Sequence, residues 1–71
     1  MSAFTTAEHA GCADDALKAF IARTGCDCED SLTDLLCDLM HWSDTCHLNF
    51  AEALHRARHH YGAELAKGGA L

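Results

Sequence analysis

Leu32, Leu35, Leu36, Leu39 and Met40 recur at the i, i+3, i+4, i+7, i+8 spacing of a single helical face. Asp30, Asp34 and Asp38 climb the opposite side of the same segment, about 6 Å per four-residue step. Two opposed stripes at roughly 100° per residue are the pattern of an amphipathic helix with an acidic outer face. This one segment fixes the orientation of whatever packs around it, since the leucines must find cover and the aspartates must stay in water.

The flanking residues extend the reading to three helices. Thr5 and Glu8 have capping-box spacing, so a first helix is expected over 6–24, ending before Gly25, with Ala10, Ala13, Leu17, Phe20 and Ile21 as its apolar stripe. Residues 25–29 read as a linker, and Asp30 or Ser31 is expected to cap the second helix, 31–44. Thr45, Cys46 and His47 form a short connection. Asn49, with Glu52 three residues on, caps a third helix over 50–66 that Gly68 and Gly69 terminate. Phe50, Ala53, Leu54, Ala57, Tyr61 and Leu65 share one face of it, and Trp42 and Tyr61 are expected in the core. The expected fold is all-α, one domain over 1–71, a small three-helix bundle.

Size and charge narrow the function. A chain of 71 residues has a core worth only a few kcal/mol beyond the entropy cost, so partner binding is expected to contribute to its stability. The composition, 49% hydrophobic and 23% charged without proline, argues against disorder. Eleven acids against five bases give a net charge of −6, which disfavours direct binding to nucleic acid or to an anionic membrane. The acid is concentrated: residues 1–49 hold nine acids and two bases, net −7, and the remainder is net +1. The N-terminus lacks the basic and apolar regions of a signal peptide, and no transmembrane run exists. Five cysteines, an odd number, then read as reduced thiols of a cytoplasmic protein.

Three chemistries compete for the polar residues. A carboxylate row on a rigid helix opposes lysines or arginines that otherwise hold phosphates, and Asp27, Glu29 and Asp44 thicken the field around Asp30, Asp34 and Asp38. A metal reading uses Cys37 and His41, one turn apart, and His55 and His59, also one turn apart, as zinc or nickel chelators. The spacing matches no zinc finger, and Cys26 and Cys28 stand only one residue apart, so no metal or other cofactor is expected. Nucleophilic catalysis by Cys37 with His41 and Asp38 needs a cleft that an exposed helix face does not supply, so no enzyme is expected.

The run Asp34-Leu35-Leu36, Asp38-Leu39-Met40-His41-Trp42, then Phe50, Ala53-Leu54, Ala57 and His60-Tyr61 resembles a group of small uncharacterised proteins encoded by bacterial phages and conjugative elements. The resemblance covers about residues 31–64, and Thr45-Cys46-His47 stands where a glycine-containing loop is expected. Small acidic proteins of such elements resemble anti-CRISPR inhibitors, some of which are DNA mimics. That resemblance implies an inhibitor of a basic nucleic-acid-binding host complex, such as a type I CRISPR surveillance complex, acting through Asp27, Glu29, Asp30, Asp34, Asp38 and Asp44. The alternatives are a small zinc-binding domain using Cys37, His41, His55 and His59, and a helical dimerisation module of a mobile-element regulator.

Overall fold

A computed structural model describes residues 4–66 as three helices, α1 (Thr6–Thr24), α2 (Ser31–Thr45) and α3 (Phe50–Glu64), with a short 3₁₀ turn at Cys28–Asp30 and, among the described residues, no strand. α2 is the central element and packs against both α1 and α3. The start of α1 meets the end of α3, where His9 Nε2 lies 3.9 Å from a Glu64 carboxylate oxygen. The expected terminators Gly68 and Gly69 lie outside the described residues. Leu65 and Ala66 carry α3 on as a wider π turn.

Local chemistry accounts for most of the ends. The Thr5 side chain accepts from the Glu8 N–H at 3.1 Å while the Thr5 N–H donates to the Glu8 carboxylate at 2.8 Å, a complete capping box. Gly25 takes a left-handed conformation, φ 73°, and its N–H donates to the Ile21 carbonyl at 2.8 Å, which ends α1. Asn49 caps α3 by accepting from the Glu52 N–H at 2.9 Å. The start of α2 departs from expectation. Asp30 makes no side-chain cap, and the Ser31 hydroxyl instead donates backwards to the Cys28 carbonyl at 2.8 Å. The 3₁₀ turn of Cys28–Asp30 feeds directly into α2, so the helix needs no side-chain stop signal there.

The α2–α3 connection is a Schellman motif. The Leu48 N–H reaches the Ser43 carbonyl at 2.8 Å, the His47 N–H reaches the Asp44 carbonyl at 3.2 Å, and His47 adopts φ 59°. The left-handed position that usually takes glycine is therefore filled by histidine, at a steric cost of about 1–2 kcal/mol offset in part by histidine's smaller chain entropy. His47→Gly is expected to raise stability by about 0.5–1 kcal/mol, read as a higher midpoint in urea with an unchanged slope. A lower midpoint would show that the imidazole itself holds the turn.

Packing is where the sequence reading needs correction. Leu17, Phe20, Ile21, Leu35, Phe50 and Leu65 are half-buried, yet among the described residues no apolar side chain is fully buried. Leu32, Leu36, Leu39 and Met40 remain exposed, and so do Trp42, at 55%, and Tyr61, at 64%, both expected in the core. The radius of gyration is 13.9 Å; a compact domain of this length has about 11 Å. With no apolar side chain fully buried among the described residues, α2 meets α1 and α3 along seams that enclose no common core. Among the described residues the two deeply buried ones are small and polar, Ser31 and Ser43, each 5% exposed. Ser43 stands four residues beyond Leu39 and seven beyond Leu36, so it prolongs the apolar stripe of α2.

Candidate partner-binding surface

Asp34 and Asp38 project from the face of α2 opposite its leucine stripe, and Asp30 continues their row from the last residue of the 3₁₀ turn. Asp27 stands at the N-terminal end of that turn and Glu29 lies within it, which with Asp30 places three acids at the entry to α2 before the first helical carboxylate, Asp34. Asp44 lies at the far end. All six side chains are exposed.

Their electrostatics are not those of a helix charged for its own stability. Asp34 lies in the first turn, where the helix dipole favours a carboxylate. Asp44 lies in the last turn, which holds no base, and there the dipole disfavours it by about 0.3–1 kcal/mol. Two acids outside the row meet a base, Asp14 and Glu64. Asp14 meets Lys18 at 2.9 Å one turn along α1, and the hydrogen bond, reinforced by the carboxylate charge, holds the Lys18 ammonium above its ordinary pKa. Among the described residues Asp14 pairs with Lys18 and Glu64 lies 3.9 Å from His9; Asp27, Glu29, Asp30, Asp34, Asp38 and Asp44 take part in neither contact. The row thus presents exposed carboxylates at a rise of about 6 Å per step along the helix axis.

The other candidate groups are not assembled. Cys37 and His41 are exposed on α2, and the His55 and His59 rings meet edge-on at 4.8 Å on α3. Among the described residues no three His, Cys, Asp or Glu side chains converge on a point where a metal ion would sit. No hydrogen bond links Cys37, Asp38 and His41 among the described residues, and all five cysteines are free thiols. No helix of the described residues is long and apolar enough to cross a membrane.

A concavity of ≈ 250 Å³ that the sequence did not foreshadow opens between the start of α1 and the end of α3, lined by Thr6, His9, Ala10, Tyr61, Glu64 and Leu65. It is smaller than the roughly 300–1,000 Å³ of typical small-molecule pockets. Nothing local in the sequence links His9 with Glu64, because only the path of the intervening helices brings them together. Comparison with protein-family models, curated proteins and solved structures yields no match.

Proposed function

We propose that this chain acts by binding another protein, setting the acidic face of α2 against a basic surface that otherwise holds nucleic acid, and that it inhibits by occupancy without catalysis. The observation that carries this reading is the exposed row Asp30, Asp34 and Asp38, none of them paired with a base among the described residues. Carboxylates left in water on a stiff helix keep their charge available for a partner and speed its encounter. A row of one charge per 6 Å is sparser than duplex DNA, which carries about one per 1.7 Å of axis, so Asp27, Glu29 and Asp44 belong to the footprint as its flanks. The resemblance to small proteins of mobile elements points to a host defence complex in the cytosol, and among these to the DNA track of a type I CRISPR surveillance complex.

The test is competition. The chain is titrated into such a purified complex with labelled target DNA, at ~0.05 M and ~0.3 M salt. The expected result is loss of DNA binding at low salt and a rightward shift of the inhibition curve, about tenfold or more, at the higher salt. Undiminished DNA binding at every ratio removes the CRISPR assignment. Salt-independent inhibition removes the carboxylate row as its cause.

A further inference from the structure

α2 and α3 present apolar stripes that a single chain leaves uncovered. Leu32, Leu36, Leu39 and Met40 fall within an arc of roughly 100° on α2, and Leu32 is 60% exposed. Leu54 and Tyr61 fall along one stripe of α3, the helix that packs beside it. The chain exposes 5957 Å², whereas a folded monomer of 7.7 kDa exposes about 4,300 Å². A 71-residue fold with no fully buried apolar side chain among its described residues has little to set against its chain entropy.

We infer that two copies of this chain pair through the apolar stripes of α2 and α3, and that the pairing supplies the core a single copy lacks. The areas agree. Leu32, Leu36, Leu39, Met40, Leu54 and Tyr61, 37–64% exposed, leave roughly 600 Å² uncovered per copy, so a pair covers about 1,200 Å² from these side chains alone, at the lower end of the roughly 1,200–2,000 Å² of a stable interface. The charge distribution also permits it. Two chains of net charge −6 repel, but Asp30, Asp34 and Asp38 occupy the side of α2 turned away from the leucine stripe, so the approaching faces need not bury them. A two-fold pairing lets the same patch serve on both copies. It also displays two acidic rows where one chain has one. The inference stands independently of what those rows bind.

Sedimentation equilibrium of the full chain over a wide concentration range decides it, with far-UV circular dichroism, thermal denaturation and Trp42 fluorescence on the same samples. The expected mass at high concentration is twice the 7.7 kDa of one chain. The midpoint of unfolding rises with concentration, because folding and association are one equilibrium. Trp42 emission shifts to the blue as the pair forms, since the indole lies at the edge of the stripe. Leu36→Asp with Met40→Asp is expected to weaken association at least 100-fold. If that variant fails to fold, the wild-type concentration series decides the matter by itself. A single-chain mass at all concentrations overturns the inference, whether its unfolding is cooperative or absent, and so does any mass above two copies.

Discussion

Reversing Asp34 and Asp38 together to lysine is expected to abolish partner binding and to leave the helical circular-dichroism signal in place. The double change moves the net charge from −6 to −2, and it turns the centre of the carboxylate row into a site that repels lysines and arginines. An affinity loss of 100-fold or more is expected, about 3 kcal/mol, because two attractions become two repulsions at once. The fold tolerates the substitution for local reasons. Both side chains are exposed and pair with no base among the described residues, and lysine is a better helix former than aspartate. The one local loss is the favourable position of Asp34 near the start of α2, about 0.3–1 kcal/mol. Asp14→Lys with Asp15→Lys supplies the control, since it changes net charge equally from α1, away from the row, at the cost of the exposed Asp14–Lys18 pair. If both double variants lose binding equally, overall charge and not the α2 row is responsible. Retained binding by the folded Asp34 and Asp38 variant would falsify the proposed surface. Self-association is expected to survive in it, because neither position lies on the leucine stripe, so the two proposals fail separately.

The second large effect is expected at Ser43. It is 5% exposed among helices that bury almost nothing else, and its carbonyl receives the Leu48 N–H that closes the turn into α3. Ser43→Leu forces a larger, branched side chain into the covered space around residue 43, which costs about 1–3 kcal/mol by overpacking. For a domain of this size each kcal/mol is worth about 4–8 °C, so the melting temperature is expected to fall by about 5–20 °C. Ser43→Ala keeps the volume small and improves helix propensity, and it is expected to stay within about 0.5 kcal/mol of the parent. A leucine variant that melts higher than the parent would mean that the space around residue 43 is open and that the apolar stripe of α2 welcomes extension there.

These two positions differ in how far the sequence exposes them. Asp34 and Asp38 are legible because a carboxylate every fourth residue states its own face. Ser43 is not, since its burial depends on how closely the neighbouring chain passes, and a hydroxyl at that place reads as the end of the stripe. The caps divide in the same way. Thr5 with Glu8, Gly25, and Asn49 act on backbone groups within four residues of themselves, and their residue types announce the role. His47 occupies a left-handed position without the glycine that would have signalled it, and Ser31 turns its hydroxyl back towards Cys28 where a forward cap was expected.

The amino-acid pattern alone determined three helices, the apolar side of each, and an acidic outer face on α2, because periodicity and capping are interactions within a turn or two of helix. Which apolar residues find cover was decided by the tertiary structure. Leu32, Met40, Trp42 and Tyr61 belong to apolar stripes or their edges and yet stand in solvent, because burial depends on the spacing and crossing of helices that are distant in the chain. The contact of His9 with Glu64 has the same origin. A stripe declares which side of its helix is apolar, while the arrangement of the three helices leaves much of that side uncovered in the single chain.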